Sequence, residues 1–126
     1  MRNKILVVDD ESDMLELMMM VLTRKGYQAF GATNGVDAII INAKENPALI
    51  ILDLRMTGMD GIETLRHIRQ KDAKVRGIIL SGFPEGYDSP AMVKDMAELD
   101  VSKRLSKQLD NDELLDVIRD VLVVPV

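Results

Sequence analysis

The chain has 126 residues, the size of one ordinary domain, and 47% of them are hydrophobic, which is enough for one buried core. Its 16 basic and 21 acidic side chains give a formal net charge of −5, which argues against direct binding to nucleic acid because that requires clustered cations. The absence of cysteine excludes disulfides and thiolate metal ligands, and it is compatible with a reducing compartment.

Short hydrophobic runs alternate with segments of helical period, a pattern typical of a parallel sheet with helical crossovers. We predict strands at 4–8, 28–32, 49–52, 77–80 and 104–106. We predict helices from 12 or 13 to 25, at 36–44, from 60 to about 70, at 91–98 and from 110 onward. Asp60 and Asp110 each begin a capping-box spacing, and the segment Phe83 to Pro90 is predicted to be a loop because it contains two prolines.

Polar side chains stand where four of these strands end. Asp9 and Asp10 follow the first strand, Asp53 the third, Ser81 the fourth and Lys107 the fifth. The carboxyl ends of parallel strands meet at one edge of a sheet, where open α/β folds bind ligands. Three carboxylates, a hydroxyl and an ammonium at that edge predict a site for a divalent cation and a phosphoryl group.

Carboxylates gathered in one pocket repel one another, so they either hold protons or recruit a cation. Mg²⁺ is favoured because it keeps several waters and shares its coordination sphere with phosphate. The cation and the Lys107 ammonium would leave one carboxylate free as a nucleophile. Asp53 is the best candidate because it ends the most hydrophobic strand and begins a glycine-containing loop.

Each residue also has a simpler explanation. Asp9 and Asp10 could do no more than cap the first helix, and Asp53 could be a turn residue. Lys103 lies four residues before Lys107 and could take its place.

Four motifs at successive strand ends resemble the receiver domain of two-component response regulators. They are Leu-Val-Val-Asp9-Asp10-Glu11, Leu-Asp53 through Gly61, Leu80-Ser81-Gly82, and Ser106-Lys107. The resemblance covers nearly the whole chain and implies one receiver domain over residues 1–126, with no output domain within the chain. It also implies a flavodoxin-like α/β fold, in which a doubly wound five-stranded parallel sheet of order 2-1-3-4-5 has helices on both faces.

The resemblance implies a signalling domain that takes a phosphoryl group from a phosphohistidine onto Asp53. The donor would be a sensor histidine kinase or a histidine phosphotransfer protein, and the receiver would catalyse its own phosphorylation and dephosphorylation without being an enzyme for other substrates. The implied site consists of the Mg²⁺ ligands Asp10, Asp53 and the backbone carbonyl of Arg55, with Asp9 acting largely through water, and of Ser81 and Lys107 beside the phosphoryl group.

Location and partners are further expectations. The first residues lack the pattern of a signal peptide and no run approaches the roughly 18 residues of a membrane span, so we expect a cytoplasmic protein without membrane contact. We expect a monomer or weak dimer whose downstream partner is a protein. On the first helix, a buried stripe is predicted for Met14, Leu17, Met18, Val21 and Leu22, leaving Met19 and Met20 free to contact the histidine donor.

Four positions depart from the usual receiver pattern. Receivers commonly have proline at the positions of Thr57 and Gln108, phenylalanine at Leu109, and an aromatic residue at Arg104. The proline after the lysine normally follows a cis peptide bond, which before Gln108 would cost about 2.5–4 kcal/mol. We therefore expect either a trans bond with Lys107 displaced from the site or a strained cis bond.

The missing aromatic residue concerns signalling. Arg104 cannot bury its charge without a partner, so we expect it to pair with an acidic residue, or the signal to pass through the loop from Phe83 to Pro90. The alternative function is a pseudo-receiver that signals without phosphorylation. A flavodoxin would need a hydroxyl- and glycine-rich loop after the first strand, and a haloacid-dehalogenase-type phosphatase would need an aspartate at Arg55, so both are poor alternatives.

Overall fold

The computed structural model of the chain describes residues 3–84 and 86–123, so the ends of the predicted domain 1–126 and Glu85 of the predicted loop lie outside the described residues. Strands and helices alternate as predicted. In chain order they are β1 (Lys4–Val8), α1 (Ser12–Arg24), β2 (Gln28–Ala32), α2 (Gly35–Glu45), β3 (Leu49–Asp53), α3 (Gly61–Arg69), β4 (Arg76–Ser81), α4 (Pro90–Glu98), β5 (Val101–Ser106) and α5 (Asn111–Val123). Strand β5 begins three residues earlier than predicted. Within the described ranges, no helix has the length and hydrophobicity to cross a membrane.

The strands form one parallel sheet in the order β2-β1-β3-β4-β5, which confirms the predicted flavodoxin-like fold. All five residues of the central β3 are buried because helices cover both faces of the sheet. Ile50 and Leu52 of β3 pack with α2, α3 and α4 on one face, and Leu49 and Ile51 pack with α1 and α5 on the other. This alternation divides the core into two layers.

The strand register brings the ends of the strands to one edge. Val8 of β1 lies opposite Leu52 of β3, and Ser81 of β4 lies opposite Ser106 of β5. The residues that follow β1 and β5, and those that end β3 and β4, therefore face the same side of the fold. We name the connections at this edge the β1–α1 loop (9–11), the β3–α3 loop (54–60) and the β4–α4 loop (82–89).

Helix α1 is rotated relative to the predicted stripe. Leu15 is buried and Met19 packs into the core, whereas Leu17 is 50% exposed, so the predictions for Leu17 and Met19 were wrong. The reason lies in β2, where Gly31 has no side chain and the Met19 thioether fills its place: a Cβ at Gly31 would lie 2.5 Å from Met19 Sδ. Met20 is 51% exposed, as predicted.

The start of α3 is pressed against the end of β3. The side chain of Asp60 accepts a hydrogen bond from Glu63 N at 2.8 Å, so the predicted cap is present. Gly61 follows it, and its N–H donates to Leu54 O at 3.0 Å. A Cβ at Gly61 would lie 2.4 Å from the backbone oxygen of Asp53, so this position has room for glycine alone.

We expect Gly61→Ala to lower the free energy of unfolding by about 1–3 kcal/mol, the typical cost of forcing extra atoms into a packed site. Gly82→Ala is the matched control, because nothing lies within 4 Å of a Cβ built there. Urea denaturation of both variants measures the difference. Equal stability of the two would contradict the close approach of α3 to β3.

Candidate functional site

The three predicted carboxylates form a cluster at the carboxyl edge of the sheet. One ligand atom each of Asp9, Asp10 and Asp53 lies within 4.8 Å of the others. Asp9 and Asp53 are 4% and 5% exposed, and Asp10 lies on the solvent side of the cluster. Carboxylate oxygens are the ligands that hard divalent cations prefer, so the chemistry of this donor set fits Mg²⁺.

Neither aspartate of the β1–α1 loop caps an N–H of α1, so the simple capping explanation is wrong for the described structure. The N-cap residue of α1 is Glu11, and its side chain makes no cap hydrogen bond. Asp9 Oδ1 accepts instead from Glu11 N at 2.9 Å, in the loop before the helix. Asp10 Oδ2 accepts from Thr57 N at 2.9 Å, across the site in the β3–α3 loop.

Lys107 reaches into the cluster. Its Nζ donates to Asp53 Oδ2 at 2.9 Å and to Asp9 Oδ2 at 3.2 Å. The described residues contain no cis peptide bond, so the prediction that a trans bond before Gln108 would displace Lys107 was wrong. Lys107 N donates to Ser81 O at 2.7 Å, which fixes the end of β5, and the flexible four-carbon side chain spans the remaining distance.

The alternative lysine does not take this place. Lys103 lies in the middle of β5 with an exposed side chain, away from the edge where the carboxylates gather. Of these two lysines, Lys107 is the one that reaches the carboxylates.

The electrostatics of the cluster are unbalanced. Burial raises the pKa of the Asp53 carboxyl, and the charge of Asp9 adds to this, so the pKa stays above its usual range although Lys107 opposes the shift. Burial lowers the pKa of Lys107, but the hydrogen bonds and charges of Asp53 and Asp9 outweigh it, so the net pKa is raised. Lys107 therefore remains an ammonium, and the cluster keeps an excess of negative charge that a divalent cation would neutralise.

Ser81 and Arg55 lie next to the cluster through their loops. Ser81 is buried at the end of β4, and its Oγ accepts from Phe83 N at 3.2 Å. Arg55 N donates to Asp53 Oδ1 at 3.3 Å, which folds the β3–α3 loop back toward the carboxylate. The Arg55 guanidinium stands 4.9 Å from the centre of the Phe83 ring, so the β3–α3 and β4–α4 loops contact each other beside the site.

Arg104 has the acidic partner that the sequence predicted. Its Nε donates to Asp88 Oδ2 at 2.7 Å and its Nη2 to Asp88 Oδ1 at 2.9 Å, with a further bond from Nη2 to Pro84 O at 3.2 Å. The two side chains are 10% and 11% exposed. This bidentate ion pair joins β5 to the β4–α4 loop. The sequence did not identify Asp88 as the partner, although the loop after β4 is the segment that the predicted strand order places nearest to β5.

Comparisons with known proteins agree with this geometry. Residues 5–119 match the family model described as the response regulator receiver domain. The chain is 38% identical to sporulation initiation phosphotransferase F of Bacillus subtilis (strain 168) over 97% of this chain and 95% of that protein. It is 30% identical to the alkaline phosphatase synthesis transcriptional regulatory protein PhoP of the same strain, over 99% of this chain but only 62% of that protein.

Solved structures show the same fold. A response regulator signal receiver domain from Bermanella marisrubri is 33% identical and superposes with a TM-score of 0.81 over 97% of this chain and 99% of that chain. Chemotaxis protein CheY4 of Vibrio cholerae gives a TM-score of 0.87 at 23% identity, over 96% of this chain and 99% of that chain, and this likeness concerns the fold alone.

Removing the charge of Asp53 should stabilise the metal-free protein at neutral pH. Folding raises the pKa of the Asp53 carboxyl. At a pH above the ordinary carboxyl pKa, ionisation of Asp53 therefore lowers the stability of the folded state. At a pH low enough to protonate Asp53 in both the folded and the unfolded state, this effect is absent. Asp53→Asn should raise the free energy of unfolding at pH 7, and the gain should shrink as the pH falls toward 4.

Urea denaturation in a chelator across this pH range measures the effect. Asp116→Asn is the control, because Asp116 is an exposed aspartate on α5. A gain in stability for Asp53→Asn that does not depend on pH would contradict the conclusion that ionisation of Asp53 destabilises the folded protein.

Proposed function

The chain belongs to the response regulator receiver domain family, and we propose that it accepts a phosphoryl group on Asp53 in a Mg²⁺-dependent reaction. The observation that carries this proposal is the buried Asp53 carboxylate, bonded to Lys107 Nζ at 2.9 Å within a cluster of three aspartates. A pseudo-receiver would not need to keep this costly cluster of buried charge. Nothing in the comparisons favours that alternative.

We propose that the carboxylates of Asp10 and Asp53 and the backbone carbonyl of Arg55 hold the cation, with Asp9 acting largely through water. The hard oxygen donors and the excess negative charge of the cluster support this assignment. When bound, Mg²⁺ would neutralise charge on the phosphoryl oxygens.

The chain's own residues would then perform the transfer. A carboxylate oxygen of Asp53 forms a bond to phosphorus while the P–N bond of the phosphohistidine breaks and its electron pair returns to the imidazole nitrogen. The Lys107 ammonium, already beside Asp53, would stabilise the negative phosphoryl oxygens. Ser81 would donate its hydroxyl to one of these oxygens once the hydroxyl turns toward the site. The receiver would thus catalyse its own phosphorylation and the later loss of the group.

The donor in this proposal is a phosphohistidine on a sensor histidine kinase or a histidine phosphotransfer protein. The name of the phosphotransferase relative supports a place in a phosphorelay. On α1 the half-exposed large hydrophobic side chains are Leu17 and Met20, so Leu17 replaces Met19 beside Met20 in the proposed contact with the donor. A cytoplasmic location and a monomer or weak dimer stay predictions, and so does a single domain over residues 1–126.

Incubation with acetyl phosphate and Mg²⁺ should add one phosphoryl group to the protein, measured by intact mass. Asp53→Asn and a chelator should each abolish the gain, because the first removes the nucleophile and the second the cation. Asp116→Asn should behave like the wild type. A folded protein that binds Mg²⁺ but gains no mass would move the pseudo-receiver alternative to first place.

We propose that the Arg104–Asp88 ion pair passes the signal to β5. In the structure Ser81 Oγ holds Phe83 N, and the same loop carries Pro84 and Asp88 to Arg104. When the Ser81 hydroxyl turns to a phosphoryl oxygen it releases the Phe83 N–H, and a shift of the loop would then move β5 through the guanidinium.

The double variant Arg104→Gln/Asp88→Asn tests this relay, because it removes both charges and leaves no buried charge unpaired. We expect phosphorylation of Asp53 to proceed within about threefold of the wild-type rate, since neither side chain touches the carboxylate cluster. Phosphorylation should however change the amide exchange of β5 less than in the wild type. The exposed pair variant Arg119→Gln/Asp116→Asn is the control. A full response of β5 in the Arg104/Asp88 variant would refute the relay.

A further inference from the structure

Thr57 of the β3–α3 loop is hydrogen-bonded to the carboxylate of Asp10. Its backbone N donates to Asp10 Oδ2 at 2.9 Å, and its Oγ1 lies 3.4 Å from the same oxygen. The two residues are 47 positions apart in the chain, so this contact ties the β1–α1 loop to the β3–α3 loop across the cluster. Among the described residues, no other group donates a hydrogen bond to the side chain of Asp10.

The backbone N–H is the stronger of the two donors. A distance of 2.9 Å is ideal for an N–H donor, whereas 3.4 Å is long for a hydroxyl. Hydrogen bonds to an ionised carboxylate are also stronger than neutral ones. Thr57 itself is exposed, so its side chain contributes little packing to the loop.

Asp10 needs this support more than the other two aspartates do. Lys107 bonds Asp53 and Asp9 but not Asp10, and Asp10 lies on the solvent side of the cluster. A solvent-facing carboxylate would otherwise sample several rotamers. The bond from Thr57 occupies Oδ2 and leaves Oδ1 with its lone pairs available to a cation.

The same bond positions the β3–α3 loop. This loop begins next to Asp53, and Arg55 N is bonded to Asp53 Oδ1 at its start. Thr57 then fastens the loop two residues later to the opposite side of the cluster. One donor therefore orients both Asp10 and the segment that carries the Arg55 carbonyl.

We propose that the backbone N–H of Thr57 is a positioning group for the cation site and that it acts through Asp10. This inference rests on the proposed function, because it concerns the same Mg²⁺ site. Donors of this kind, bonded to a metal ligand but not to the metal, typically change metal affinity by 10- to 100-fold. Receivers commonly have proline at this position, and proline has no N–H to donate.

Thr57→Pro removes the donor, and Thr57→Ala keeps the backbone N–H while removing the hydroxyl. We expect Thr57→Pro to raise the Kd for Mg²⁺ about tenfold, and Thr57→Ala to stay within about twofold of the wild type, measured by isothermal titration calorimetry. In an Asp10→Ala background, Thr57→Pro should have little further effect, because the side chain that accepts the Thr57 hydrogen bond is absent. Thermal unfolding in a chelator checks that each variant folds.

Three results would overturn the inference while the proposed function stands. They are equal affinity of the wild type and Thr57→Pro, an undiminished effect of Thr57→Pro in the Asp10→Ala background, and a loss in Thr57→Ala as large as in Thr57→Pro. A wild-type protein that binds no Mg²⁺ would instead overturn the proposed function, and this inference with it.

The hydrogen bond can also be observed without the metal and without a proline. In amide spectra of the metal-free protein, the Thr57 proton should exchange slowly, since it is bonded to a carboxylate. Asp10→Ala should make that exchange fast, while the Glu63 amide, which is bonded to Asp60, stays protected as an internal control. A Thr57 proton that exchanges at the same rate in Asp10→Ala would overturn the inference, even if Thr57→Pro failed to fold.

Discussion

The contact between Lys107 and the carboxylates of Asp53 and Asp9 is the interaction on which the candidate site at the carboxyl edge of the sheet depends. The parallel register brings two nearly buried aspartates to the same edge of the sheet, where their charges repel. One ammonium at 2.9 and 3.2 Å compensates part of that repulsion. The raised pKa of Asp53 shows that compensation is incomplete, since burial still favours the neutral acid. The folded protein therefore keeps an excess of negative charge that a bound cation would neutralise, and for this reason a cation is part of the proposed reaction.

The loops around this cluster are held by backbone donors that a sequence does not display. Glu11 N bonds Asp9, Arg55 N bonds Asp53 and Thr57 N bonds Asp10, so each carboxylate is oriented by the main chain of a loop. The hydrophobic runs could predict the strands, and the strand ends could predict which acidic residues meet. The motif could predict that Lys107 follows β5. It could not predict that the Lys107 ammonium reaches the carboxylates with a trans peptide bond before Gln108, because this depends on the conformation of a flexible side chain. Thr57 as the partner of Asp10 and Asp88 as the partner of Arg104 could not be predicted, because both contacts depend on loop conformations and a loop sequence has no periodic pattern.

Helix α1 shows a second limit of prediction. Between Met14 and Leu22 nearly every residue is hydrophobic, so the helical period is clear but the rotation of the helix about its axis is not. The choice is made by the strand beneath, where Gly31 of β2 leaves a space that Met19 fills. Leu17 turns outward as a result and joins Met20 in solvent. Packing between two elements therefore decides which apolar residues remain available to a partner.

The pair of Arg104 and Asp88 would limit what can move upon the proposed phosphorylation of Asp53. An aromatic ring on β5 can turn between a buried and an exposed position without breaking a hydrogen bond. A guanidinium held by two bonds to a carboxylate cannot, because separating the pair leaves a charge unpaired in a site that is about nine-tenths buried, at a cost of roughly 3–5 kcal/mol. The two residues must then move together or stay together. A shift that begins at Ser81 and Phe83 would consequently carry the β4–α4 loop and β5 as one unit, with the ion pair as the rigid link between them.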